Sequence, residues 1–177
     1  MKILLTVLLF LSLATQAKQH LPDSLIQDEV IFQRCNDFTL RYGLVIKVAA
    51  IGWYAPDCNS KNLLDTSNKI LRFHYFKNVD AVFLKTSAQE YFILNLAESE
   101  IKPTLSNALT SFNDAYVDIQ SGQYFQLIHI NDQRLSLYRN EELLATTDNA
   151  VLARNYFNIW FGNKPVIQKL KKAFINL

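Results

Sequence analysis

Residues 40–54 read Leu-Arg-Tyr-Gly-Leu-Val-Ile-Lys-Val-Ala-Ala-Ile-Gly-Trp-Tyr, and their reading decides the fold. From Leu44 to Tyr54 apolar residues run with a period of two, as a half-buried strand requires. On a strand, alternate side chains share a face, so Val45, Lys47, Ala49, Ile51 and Trp53 fall together. A lysine among small apolar residues marks that face as something other than plain core. Either it borders a cleft that uses the cation, or Lys47 lays its stem along the sheet margin and keeps its head in water.

Outward from this strand, Glu29–Cys35 reads as a strand, followed by an irregular Asn-Asp-Phe-Thr-Leu-Arg-Tyr-Gly stretch rich in turn formers. Lys69–Phe76 alternates again, with Ile70, Arg72, His74 and Phe76 on one face and Leu71, Phe73 and Tyr75 on the other. The period then changes. Residues 86–100 read as a helix with Thr86 or Ser87 at its start, and Pro103 opens another over 103–116. A three-strand meander follows, with turns at Asp132-Gln133 and Glu141-Glu142. Asp148 or Asn149 then caps a helix ending at Gly162, and Pro165 starts the last one. Strands and helices in this order predict one α+β domain with a large, mostly antiparallel sheet.

The chain opens with one lysine, an apolar run from Ile3 to Leu13 and small residues up to Ala17, the pattern of a secretory signal peptide. The run is shorter than the ~20 apolar residues of a membrane-spanning helix. Residues 1–17 are therefore expected to be removed, leaving 18–177 as a periplasmic domain without stable membrane insertion. With 18 basic and 16 acidic residues, one of the former in the leader, no net field favours nucleic acid. Lys164, Lys169, Lys171 and Lys172 gather near the C-terminus, where cations suit a helix end.

Two cysteines in an exported chain are often bridged. Pairing a strand that ends at Cys35 with the 44–54 strand would instead leave Cys58 about 40 Å away, at about 3.3 Å per residue. A bridge then needs a sharp bend or a different pairing.

Chemical motifs are sparse. The four glycines are scattered at 43, 52, 122 and 162, and form no phosphate loop. The three histidines, at 20, 74 and 129, have no metal-ligand spacing, and no nucleophile elbow occurs. No cofactor, metal or catalytic group is expected on these grounds.

The order of the segments resembles the bacterial chalcone isomerase-like family over most of the chain. The resemblance rests on "LRYGLVIKVAAIGWY", "KILRFHYFKNVDA", a helix ending "ILNL", "FNDAYVDIQSGQYFQLIHI", "LSLYRNEELL" and "LARNYFNIWFGNKPVIQKLKKAF". The ending is the most specific part: an Asn-centred turn, a helix closing in "NIWFG", then a proline and a short terminal helix. The resemblance implies an open-faced β-sandwich, a large antiparallel sheet with helices layered on one face and a ligand cleft between them. Plant isomerases of this fold carry a catalytic Thr where Ala49 stands here, and a helical Tyr and Asn seven residues apart, which fall on Ala88 and Asn95. With both hydroxyls missing, the resemblance implies a binder of a fatty acid or similar lipophilic carboxylate rather than an isomerase. Arg41 keeps the family's interval to Lys47 and is the expected carboxylate anchor, since a guanidinium can bind a carboxylate bidentately. Lys47, Ala49, Tyr91 and Asn95 complete the expected site. An enzyme of other specificity using the same cleft, or a protein-interaction module, stays open beside this.

Overall fold

A computed structural model describes residues 20–59 and 62–175; the expected signal peptide lies outside them. Seven strands, β1 (Ser24–Gln27), β2 (Val30–Tyr42), β3 (Ile46–Ala55), β4 (Lys69–Tyr75), β5 (Tyr124–Ile130), β6 (Arg134–Arg139) and β7 (Glu142–Thr147), form one sheet in chain order. Every neighbouring pair is antiparallel. The helices are α1 (Ala81–Leu94), α2 (Pro103–Asn113), α3 (Ala150–Asn155), α4 (Asn158–Phe161) and α5 (Gln168–Ile175), with a single 3-10 turn at Glu98–Glu100.

Alternation along the strands sorts the two faces. Ile51, Trp53, Leu71, Phe73, Phe125 and Leu127 meet Phe92, Leu109, Phe112, Leu152, Trp160 and Phe174 from the helices in one continuous core. Their neighbours Tyr54, Ile70 and Ile128 point the other way and join Phe32 in a small separate cluster. All the helices therefore cover one face, as the resemblance implied, and the antiparallel α+β fold is observed.

Four local expectations are corrected. The stretch 36–42 is not irregular: β2 continues to Tyr42, with Asn36 opposite Trp53 and Asp37 opposite Gly52. Cross-strand pairing with a buried partner outweighs the turn preference of Asn and Asp. A register shift between Arg34 and Asn36 absorbs Cys35 as a bulge. The hairpin centre thus moves to Gly43–Val45, and Cys58 comes to Cys35 as a disulfide with Cα atoms 5.1 Å apart. The long separation drawn from sequence came from ending β2 seven residues early.

The first helix begins at Ala81, not at Thr86 or Ser87. Its cap comes from a distant residue, Asp118, whose Oδ1 accepts from the Ala81 amide at 2.8 Å. A local capping pattern cannot show this. Asn149 does cap α3, accepting from the Leu152 amide, but the helix over 150–162 is broken in two between Asn155 and Asn158. The last helix starts at Gln168, three residues after Pro165.

Candidate functional site

Between sheet and helices lies a cavity of about 130 Å³. Its floor is Ala49 of β3, Phe73 and Tyr75 of β4, and Phe125 and Leu127 of β5. Leu84 and Ala88 of α1 and Ile159 and Trp160 of α4 roof it. Leu40, Val48, Val79 and the exposed ring of Phe83 stand at the mouth. The space exists because Ala49 and Ala88, both buried, put small side chains into the facing layers where larger residues would meet.

Polar groups on this lining are few: the hydroxyls of Ser87, Tyr75 and Tyr116. Burial pushes the Tyr116 hydroxyl up to about 12, and raises Tyr75 further, so both stay neutral donors at ordinary pH. Tyr116 is held 3.2 Å from the Tyr156 hydroxyl, which donates to Asn113 Oδ1 at 2.6 Å. The Tyr75 hydroxyl has no hydrogen-bond partner among the described residues and belongs to a residue of the cavity lining. Among the described residues, no carboxylate, imidazole or ammonium lines the cavity. The arrangement offers an apolar slot with hydroxyl donors, and holds no acid–base pair.

Of the residues expected from sequence, Ala49 lines the cavity, together with Ala88, the second position where the isomerases carry a hydroxyl. Arg41 and Lys47 come together elsewhere. They are register partners near the tip of the β2–β3 hairpin, exposed, one residue beyond the lining residues Leu40 and Val48. The pairing steps from Leu40–Ala49 to Arg41–Lys47, which leaves Val48 as a bulge. Val48 and Ala49 consequently both face the cavity, and strict alternation fails there. The Lys47 ammonium lies 6.0 Å from the ring centroid of Phe76, which packs edge-on against His74 on the opposite face of the sheet.

Tyr91 is half-buried against the core, outside the cavity lining. Asn95 is committed internally: its Nδ2 donates to the Tyr91 and Lys164 carbonyls at 2.7 and 2.9 Å, and its Oδ1 accepts from the Lys164 amide at 2.8 Å. It fastens the end of α1 to the loop before α5. A Cβ on Gly162 would sit 2.4 Å from Asn95 Oδ1, which explains the glycine there.

Sequence reasoning missed Tyr75, Ser87 and Tyr116. Tyr75 was within reach, since the alternation of β4 put it on the face of Leu71 and Phe73. Tyr116 follows the end of α2 and carries no periodic signal.

No curated protein matches this sequence. Among solved structures, the fatty-acid binding protein of Arabidopsis thaliana is similar in fold, with a TM-score of 0.62 at 15% identity, over 86% of this chain and 96% of that one. The model of the chalcone isomerase-like family matches residues 16–175, so the chain belongs to that family.

Proposed function

We propose that the protein binds the apolar tail of a fatty acid or similar lipophilic carboxylate in this cavity and performs no chemistry on it. The observation that carries the reading is a slot enclosed by sheet and helices, apolar except for three neutral hydroxyls. That the Arabidopsis protein of the same fold is a fatty-acid binding protein supports it. A carboxylate drawn inside would lose its water for neutral hydroxyls alone, which is costly. The tail therefore goes in first and the head stays in water at the mouth, with Arg41 and Lys47 one residue beyond the lining toward the hairpin tip. Exposed cations add little in water, so Arg41→Ala weakens binding by about fivefold at most. The hydroxyl of Tyr75 is the alternative head-group contact, and Tyr75→Phe separates the two.

Export is part of the proposal. The leader pattern and the Cys35–Cys58 disulfide both suit an oxidising compartment. Intact mass of protein from its own host checks this: a chain beginning at Lys18 is expected, and an unprocessed chain contradicts it. Native mass spectrometry of the same sample tests the binding reading. A retained long-chain carboxylate is expected, and an empty protein that also fails to take up added palmitate would refute it.

A further inference from the structure

The β2–β3 hairpin ends in side chains that hairpin tips rarely carry. Tyr42 pairs with Ile46, and the three-residue loop between them is Gly43-Leu44-Val45, with Gly43 in the left-handed region at φ 61°. Turns normally use Gly, Asn, Asp, Pro and Ser. Here Tyr42, Leu44 and Val45 are 77%, 92% and 80% exposed, and Ile46 is also exposed. The β6–β7 turn at the same end of the sheet is Asn140-Glu141, so the apolar tip is no general feature of that end. A cluster of this kind marks a surface that something covers.

Two further observations say what covers it. Arg41 and Lys47 bracket the apolar tip as register partners, no acidic residue lies between Phe38 and Lys47, and neither cation enters an ion pair among the described residues. Lys77, exposed in the turn after β4, adds a third positive charge beside Phe76; Asp80 and Asp118 sit across the mouth at the start of α1. The tip also continues the cavity. Leu40 and Val48, on its stem, line the mouth, where Phe83 and its neighbour Val82 on α1 are also exposed. A narrow protruding tip offers far less than the ~800 Å² per partner of a standard protein interface. It suits insertion among lipid headgroups, apolar end down and cations level with the phosphates.

We propose that this hairpin docks the protein on an anionic phospholipid surface, with Leu44 and Val45 inserted and Arg41 and Lys47 on the phosphates. Docking brings the cavity mouth to the bilayer, so an apolar tail passes between the two with little exposure to water. The docking itself stands on the tip alone; only its use for loading rests on the cavity reading.

Co-sedimentation of the purified protein with phosphatidylglycerol-containing vesicles, and with vesicles of phosphatidylcholine alone, tests it. The protein is expected to partition onto the anionic vesicles, less so as salt rises, and weakly onto the neutral ones. Leu44→Ser with Val45→Ser, both at exposed positions, lowers that partition by about tenfold or more. Arg41→Glu with Lys47→Glu does the same and removes the salt dependence. Equal partition by wild type and both variants, or no binding by wild type, overturns the proposal. A wild-type dimer in sedimentation equilibrium that the serine variant dissolves, without vesicle binding, overturns it in favour of contact between two copies. Palmitate titration without vesicles is expected to be unchanged in the serine variant. A failure of docking is thus told apart from a failure of the cavity.

Discussion

The layer between sheet and helices has two ends built from the same strands, and they differ in what fills them. At the Trp53–Lys69–His129 end the space is packed and stoppered. Trp53 meets Phe157 edge-on, with ring centroids 5.9 Å apart, and Lys69, 2% exposed, places its ammonium 5.8 Å from each of those rings. That ammonium donates to the Leu63 carbonyl at 3.3 Å, to Asp65 Oδ1 at 3.0 Å and to the Asp65 carbonyl. The disulfide pins the loop that carries these acceptors. At the other end Ala49 and Ala88 put small side chains into the facing layers, no bridge pins the hairpin, and a cavity remains. The difference is one of residue volume before it is one of polarity: the binding slot is where the core is left unfilled.

Breaking the packed end gives the largest effect. Phe157→Ala removes a ring that is 2% exposed and costs about 3–5 kcal/mol, read from the denaturant midpoint. Replacing Cys35 and Cys58 by Ser opens a loop with a sequence separation of 23, and costs about 3 kcal/mol in the same measurement.

His129 gives the packed end an acid sensitivity. Its Nδ1 lies 3.1 Å from the Ser67 carbonyl and Nε2 is buried without a partner among the described residues, which fits a neutral ring donating through Nδ1. Burial, aided by the nearby Lys69 charge, lowers its pKa below the ordinary 6.5. The unfolded chain then binds more protons in the window below 6.5, so stability is full above that pH and is lost as pH falls. The slope is at most about 1.4 kcal/mol per pH unit. Denaturation of wild type and His129→Phe at about pH 7.5 and about pH 5.5 checks the sign: the variant is expected to lose less.

The smallest change in stability is expected at the open end. Ala88→Leu puts a larger side chain into the cavity and shifts stability by no more than about 1 kcal/mol in either direction.

How legible these two ends were from sequence differs too. Strands with clean alternation, such as Lys69–Tyr75, announced both their faces and the core. The small residues Ala49 and Ala88 were found through the family pattern, and they do line the cavity. What stayed hidden depended on contacts distant in sequence. Asn36 and Asp37 look like turn residues until they are set opposite Trp53 and Gly52, and that pairing decides where the hairpin folds and whether Cys35 meets Cys58. The bulge at Val48 leaves no mark in the sequence, yet it breaks the alternation that had put Lys47 on the face of Ala49. Asn95 matched a family position, but the Lys164 backbone that holds it is 69 residues away.

Calorimetric titration with palmitate, run on wild type and Ala88→Leu with folding verified by circular dichroism, tests the claim that the unfilled end is the binding slot. Wild type is expected to bind with saturable heat, and Ala88→Leu, equally folded, to show a loss of affinity of about tenfold or more, because the tail no longer fits. Equal affinity in the two proteins would contradict the account and place any lipid site elsewhere.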